Sequence, residues 1–368
     1  MKICHISLAL FPDHKDGSAK FARGVYEELK NRGYDIKLIT GKWEHGFDDP
    51  NIITIDVPNS RFLWVPKFFF KVRKYLKNHE FDIIHANGSR GALPVMFMDN
   101  DYIANIHDLG PFEAQFTSLP ILKWLERKNA QKASRIITCS DIVRYGIEKH
   151  MGASLDKMHN VYSAIDPKYK PDTQAAKKIK EKLGLKDGPV IFYVGRIAFY
   201  KGVEDIIKAF YGAKKEITDL QLVIGGKPTI KMEKKVKKWR KRYQEVHFVG
   251  LIPEKDMIGY YNLADVFCTY SHASEGFGLT PIEALACKTP VICSTMPAYE
   301  EVLQDYAYFV PPQAPKKLEE KFVWFFNHQE KTKNMVEEAQ EFIKRYTWGS
   351  VVDKIEEVYE KFLENHKN

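Results

Sequence analysis

"PVIFYVGRIAFYKGVEDIIKAF", residues 189–210, holds a whole supersecondary unit in one line. Its first part, "VIFYV", is apolar at every position without polar alternation, the pattern of a strand buried on both faces. Gly195 and Arg196 end that run. Beyond Lys201 and Gly202, the residues Val203, Ile206, Ile207 and Phe210 recur at helical spacing. A fully buried strand feeding a helix through a short loop is half of a βαβ unit, and such units build parallel sheets covered by helices on both faces.

The same grammar extends in both directions. Toward the N-terminus, "KICHISLAL" (2–10), "DIKLIT" (35–40), "FDIIHAN" (81–87), "YIANIHD" (102–108) and "SRIITCS" (134–140) read as short buried strands. Between the first two, Ala22, Val25, Tyr26 and Leu29 mark a helix that Gly33 stops. The polar stretch 164–188 interrupts the series. It restarts at residue 189 and continues through "LQLVIGG" (220–226), "VHFVG" (246–250), "ADVFCTY" (264–270) and "TPVICS" (289–294). A chain of 368 residues is too long for one core and about right for two. The expectation is an α/β protein with two doubly wound, Rossmann-like parallel-sheet domains, over 1–168 and 169–348. A last helix near 349–366, carrying Val352, Ile355, Val358, Tyr359 and Phe362, packs on either half. Ligands of such sheets bind beyond the carboxyl ends of the strands, and two of them face to face make a cleft.

Composition removes several classes. No run approaches the roughly 18 apolar residues of a membrane span. The opening "MKICHISLALF" is broken by His5 and Ser7 and lacks a small-residue cleavage site, so it reads as the first strand of a cytoplasmic protein. The five cysteines include no CxxC pair, which points to buried reduced thiols rather than a zinc site or disulfides. The formal charge of +8 gathers in "KMEKKVKKWRKR" (231–242) and "RFLWVPKFFFKVRKYLK" (61–77), either of which attracts phosphates. Neither run belongs to a recognised nucleic-acid module, and no GxGxxG follows either first strand, so nucleic-acid binding and NAD chemistry are poorly supported. Within 231–242, Val236, Trp239 and Tyr243 form a core stripe. Within 61–77, Phe68, Phe69, Val72 and Leu76 share one helix face and Lys67, Lys71 and Lys74 another. That segment is either a core-facing amphipathic helix or a patch that docks on an anionic membrane.

The residues suited to chemistry lie in two loops. In the first, Arg196 and Lys201 bracket a strand-to-helix turn, where backbone amides, a helix dipole and two cations suit a diphosphate. In the second, "HASEGFGLTPIEALA" (272–286), Glu275 and Glu283 stand eight positions apart. Thr280, Pro281 and Glu283 match a capping box that explains Glu283 without a ligand. Gly276 and Gly278, however, let the backbone approach a ligand, and the amides of Leu279 and Thr280 suit an anion. A carboxylate grips paired hydroxyls well. Hydroxyl, phosphate, hydroxyl is the outline of a nucleotide-sugar.

"SEGFGLTPIEALACKTPVICS" resembles the E-x7-E signature of family 4, group 1 glycosyltransferases, which are retaining enzymes of the GT-B fold. "VGRIAFYKGVEDIIKAF" is similar to the family's phosphate loop, "DGSAKFARGVYEELKNRGYDIKLIT" to its amino-terminal donor-facing loop and helix, and "RYTW" (345–348) to its closing aromatic. The resemblance implies that Glu283 holds the ribose hydroxyls and Glu275 the transferred sugar. Gly195, Arg196 and Lys201 would meet the diphosphate, and Phe277, Gly278, Leu279 and Thr280 the sugar and phosphates. Leu251 and Ile252 would border the base, and His107 would lie beside the sugar. Gly17 would meet the donor, although Gly17-Ser18 stands where the family more often has Gly-Gly. It further implies no cofactor and no metal, a UDP-sugar donor (GDP-sugar being possible), and a glycan or lipid-linked acceptor, with peripheral contact at an anionic membrane and no nucleic-acid partner. The rivals are an epimerase or phosphorylase on the same fold, and a binding module that holds donor without transfer.

Overall fold

The computed structural model describes residues 1–14, 16–43, 46–58, 63–113, 118–273 and 275–364. Met1–Ala164 with Tyr346–Asn368 forms one compact unit, and Ile165–Arg345 a second.

The first unit contains strands β1 (Lys2–Ile6), β2 (Asp35–Lys42), β3 (Ile52–Asp56), β4 (Ile83–Asn87), β5 (Ile103–Ile106), β6 (Arg135–Thr138) and β7 (Met158–Asn160). Its helices begin with α1 (Gly17–Asn31), α2 (Trp64–Lys77), α3 (Gly88–Ala92), α4 (Pro120–Lys132) and α5 (Asp141–Met151). The sheet runs β3-β2-β1-β4-β5-β6-β7, parallel throughout, so the chain reverses direction across the sheet between β1 and β4. The second unit contains β8 (Val190–Val194), β9 (Gln221–Gly225), β10 (Val246–Gly250), β11 (Val266–Thr269), β12 (Val291–Ser294) and β13 (Tyr308–Val310). Its helices are α6 (Thr173–Leu183), α7 (Val203–Ala213), α8 (Glu233–Arg242), α9 (Met257–Leu263), α10 (Leu279–Ala286), α11 (Pro297–Leu303), α12 (Pro315–Asn327) and α13 (Gln329–Phe342). Its parallel sheet runs β10-β9-β8-β11-β12-β13 and reverses between β8 and β11. Both sheets are therefore doubly wound. The sequence reading anticipated the interior strands and β10, but not β3, β7 or β13, all of which are edge strands.

The final helix, α14 (Trp348–Glu364), belongs to the first unit. Val352, Ile355, Val358, Tyr359 and Phe362 enter the same core as Ile3, Phe21, Val25 and Leu29. A Cβ at Gly24 would overlap the Trp348 indole, so a residue without a side chain lets the two helices meet. Arg32 closes the contact, donating to Asp353 at 2.8 Å, Glu356 at 2.7 Å and the Gly349 carbonyl at 2.9 Å.

Two amphipathic segments resolve differently. In α8, Val236 and Trp239 are buried and Tyr243 packs beside them, so the lysines are a solvated face. In α2, Phe68, Val72 and Leu76 lie in the core together with Trp64, which is the core-facing alternative of the two the sequence left open. The outward apolar residue is Phe70, at 67% exposure, while Arg61 and Phe62 fall outside the described residues. No helix among the described residues is long and apolar enough to cross a membrane.

Polar residues also enter the first core. His5 on β1 pairs in register with His85 on β4, and their rings stack at 4.7 Å with no exposure to solvent. Nδ1 of His85 meets the Tyr359 hydroxyl at 2.8 Å, whereas both ring nitrogens of His5 lack a partner among the described residues. Burial disfavours the charged ring, so His5 is held well below the usual imidazole range and His85 is lowered to about 3. An unfolded histidine titrates near 6.5, so the unfolded chain takes up protons first. The stability supplied by these neutral rings is complete above about pH 6.5 and is lost as pH falls toward the folded values. Urea midpoints should fall steadily between about pH 6.5 and 4.5, with net proton uptake on unfolding. A midpoint that stays flat across that interval would contradict the assignment.

Candidate active site

The second unit's candidate residues gather at the carboxyl ends of β8 and β11, where the chain changes direction across the sheet. After β8, Gly195 and Arg196 lead into a 3-10 turn at Phe199–Lys201. Gly202 follows with φ +60°, and a Cβ there would run into the carbonyl oxygen of Tyr270. The turn thereby lies against the loop after β11, and Lys201 forms an ion pair with Glu275. Ser271 donates a second hydrogen bond to the same carboxylate. Glu275 is thus oriented by two partners, while Arg196 stays exposed.

Glu283 departs from the capping expectation. The helix starts earlier, at Leu279, with Gly278 as its N-cap at φ +96° and no side-chain cap hydrogen bond. Thr280 is therefore inside the helix rather than its cap, and the capping box does not form. The left-handed backbone of Gly278 explains the shift, since it turns the chain into the helix before Thr280. A Cβ there would meet the Tyr299 ring at 2.6 Å. Glu283 is buried, and its Oε2 accepts a hydrogen bond of 2.7 Å from Tyr261 on α9. Burial, then the neighbouring carboxylate, raise the Tyr261 hydroxyl well above its usual range, which keeps it a donor. Phe277 is buried just ahead of a first turn whose amides have no partners within the helix.

The loops after β9 and β10 complete this edge. A Cβ at Gly226 (φ +124°) would overlap the Gly195 carbonyl, and the Gly226 amide donates to Gly250 O at 2.6 Å. Leu251 projects into solvent, whereas Ile252 is buried over Gly225. Of this pair, Leu251 alone offers an open side chain.

In the first unit, His107 follows β5. Its Nε2 lies 2.8 Å from Asn87 Oδ1, and Asn105 Nδ2 sits beside the ring, 3.1 Å from Nε2 and 3.3 Å from Nδ1. Asn87 Nδ2 donates to Ser7 Oγ and the Ser18 carbonyl, both at 3.1 Å, which orients its amide oxygen toward the imidazole. The shortest of these contacts, to the acceptor Asn87 Oδ1, favours the neutral tautomer with the proton on Nε2. Burial lowers the His107 pKa to about 4 against a raising influence from Asp16, so the ring is neutral at physiological pH. Gly17 opens α1 behind the Asp16 N-cap, whose carboxylate accepts from the Ala19 amide at 3.1 Å.

Tyr261, Ser271, Asn87 and Asn105 escaped the sequence reading. The asparagines left a faint signal as amides at or near the carboxyl ends of otherwise apolar strands. Tyr261 left none, because its contact with Glu283 exists only once α9 and α10 are packed.

A model described as "Glycosyl transferases group 1" matches residues 175–342, and one described as "Glycosyltransferase Family 4" matches 15–169. The chain is 23% identical over 308 residues to a phosphatidyl-myo-inositol mannosyltransferase of Mycobacterium leprae, covering 82% of this chain and 79% of that one. It is 27% identical over 323 residues to an alpha-monoglucosyldiacylglycerol synthase of Streptococcus pneumoniae, covering 78% and 70%. The crystal structure of Anabaena Alr3699/HepE in complex with UDP superposes with a TM-score of 0.79 at 18% identity, over 98% of this chain and 100% of that one.

Tyr261→Phe leaves a buried carboxylate short of a hydrogen bond. Urea denaturation should register a loss of about 1.5–3 kcal/mol. An unchanged midpoint would mean that Glu283 is held by other partners.

Proposed function

We propose that this chain, which belongs to the group 1 glycosyltransferases of family 4 and has their GT-B fold, is a metal-independent retaining enzyme. It moves a hexose from a nucleotide-sugar, UDP-linked in preference to GDP-linked, to a glycan or lipid-linked acceptor in the cytoplasm. The observation that carries this reading is Glu283. Glu283 is a buried carboxylate on α10 oriented by Tyr261, and a carboxylate is the group that accepts from a pair of ribose hydroxyls. Lys201, Glu275 and Arg196 stand on the neighbouring loops of the same unit. The UDP held by the HepE neighbour supports the choice of base.

Breaking the anomeric bond builds negative charge on the departing diphosphate. Arg196, Lys201 and the first-turn amides of α10 stabilise it, the backbone amides of Phe277, Gly278, Leu279 and Thr280 meet sugar and phosphate, and Gly195 and Gly17 let their backbone approach the donor. Lys201 has three donors, so its pairing with Glu275 leaves two for phosphate oxygens. Glu275 accepts hydrogen bonds from sugar hydroxyls, Leu251 and the backbone of Ile252 border the base, and His107 stands beside the sugar as a neutral ring. The leaving phosphate accepts the acceptor's proton on the face it departs from, which retains configuration.

Thermal melting with UDP, GDP, ADP or NAD, each with EDTA, tests the donor site. A ligand at about 100 times its dissociation constant should add roughly 2.7 kcal/mol to wild type. Glu283→Gln should lose most of that gain, and Lys201→Ala should slow donor hydrolysis. A Glu283→Gln protein that melts earlier but responds to ligand as wild type does would reduce Glu283 to a structural residue. Donor binding without hydrolysis or transfer would favour a binding module, and conversion of the donor without an acceptor an epimerase.

A lipid-linked acceptor gains support from the surface of the first unit. Phe69 on α2 meets Phe97 at 6.1 Å between ring centroids, and Phe97 meets Trp124 on α4 at 6.2 Å. Phe70, Trp124, Ile121 and Leu119 are all exposed, Lys128 lies over the Phe97 and Trp124 rings, and Arg73 over Phe69. Contiguous aromatic surface rimmed with cations suits an anionic bilayer. The protein should sediment with anionic but not neutral vesicles, and Phe70→Ser with Trp124→Ser should weaken that binding about tenfold or more. Equal sedimentation of the double variant would rule the patch out.

A further inference from the structure

We infer that Glu126 is a positioning residue for the transfer reaction, acting on His107 through Ser89 and the turn that Asn87 begins; the inference rests on the reading of His107 as a sugar contact.

Glu126 projects from α4, half-buried by surface, with its carboxyl largely shut off from water. Its Oε2 accepts a hydrogen bond from Ser89 in α3. The N-cap of α3 is Asn87, whose amide oxygen lies 2.8 Å from His107 Nε2. The turn has little freedom to move otherwise, because a Cβ at Gly91 would run into the Ile6 carbonyl at the end of β1. A second route reaches the same ring, since Asp108, the residue after His107, acts electrostatically on Glu126. Among the described residues, the charged groups that act on the carboxyl are Asp108 from the loop after β5 and Arg90 from α3.

Nothing in the fold of α4 calls for a carboxyl at this point. The helix makes no side-chain cap hydrogen bond, and its buried residues are Asn129 and Ala130. Burial, opposed by the Ser89 hydrogen bond and reinforced by Asp108, pushes the Glu126 carboxyl up to about 7. Below that value it is neutral and has a proton to donate; above it, it is a carboxylate that accepts from Ser89. The rings of His5, His85 and His107 lie below the usual imidazole range, and Asp16 lies below the usual carboxylate range. A change at the His107 ring between about pH 6 and 8 that disappears in Glu126→Gln therefore reports Glu126 and not the imidazole itself.

The test is the ring-nitrogen NMR spectrum of the full chain with labelled histidine, recorded from about pH 6 to 8.5 for wild type, Glu126→Gln and Ser89→Ala. In wild type the His107 signals should keep the neutral tautomer yet shift with a midpoint near 7. Glu126→Gln should abolish that inflection, and Ser89→Ala should diminish it. Hydrolysis of UDP-glucose by Glu126→Gln should lose about ten- to a hundredfold in kcat, with KM nearly unchanged and a flattened profile across the same pH interval. Wild-type signals that do not move, or the same inflection in Glu126→Gln, would overturn the inference. Failure of the donor reading would appear instead as absent stabilisation by UDP and GDP, and the NMR titration would still decide the link between Glu126 and His107.

Discussion

The charged groups of the second unit depend on one close approach of backbone to backbone, that of Gly202 under the carbonyl of Tyr270. Only a residue without a Cβ fits there, and its left-handed φ turns the chain into α7. The approach seats the 3-10 turn on the loop after β11, where the His272 amide also donates to Tyr200 O at 2.6 Å. Lys201 then reaches Glu275. Gly226 repeats the device one strand away, closing on the Gly195 carbonyl while donating to Gly250. The carboxyl edge of the sheet is thus a set of loops joined by their own backbones, leaving side chains free to carry the chemistry.

The interior of both sheets was legible because a strand covered on both faces must be apolar at every position, and such runs stand out against the intervening helices. The strands that escaped, β3, β7 and β13, are edges with half-exposed residues among their few positions. An edge strand can be short and polar on its open side, so neither continuity nor alternation marks it. The last helix was equally legible in its spacing but not in its destination. What decides that α14 joins the first unit is Gly24 beneath Trp348 and Arg32 clamped to Asp353 and Glu356, contacts more than three hundred residues apart in sequence.

The site was legible where chemistry is local and misread where a local rule met a stronger one. Thr-Pro-x-Glu satisfies every residue preference of a capped helix start, yet the left-handed Gly278 begins the helix first and Glu283 turns to Tyr261. In α2, periodicity identified the apolar face of Phe68, Val72 and Leu76, but only packing decides that this face enters the core. Ser271 and Asn105 stand within four residues of the groups they support, but the partners Tyr261 of Glu283, Lys201 of Glu275 and Asn87 of His107 come from separate elements, and no short window of sequence contains both members of those pairs.

The two sets of candidate residues are held differently. In the second unit the carboxyl groups keep hydrogen-bonded company, Glu275 with Lys201 and Glu283 with Tyr261. In the first, His107 and the neighbouring His85 are desolvated until they are neutral, His107 down to about 4 and His85 to about 3. On the proposed reaction that contrast has a purpose. Positive charge grows on the sugar as the diphosphate leaves, and an imidazolium beside it would oppose that growth, whereas a neutral imidazole adds no charge. Keeping the ring neutral requires burial, and burial of neutral histidine is what makes the folded state yield to protons as the pH falls. Asn105 stands beside the His107 ring and also acts on His85, and His85 is stacked on His5. The same desolvated network therefore sets both the electrostatic character of His107 and the acid limit of the fold, and a substitution that relieved one would shift the other.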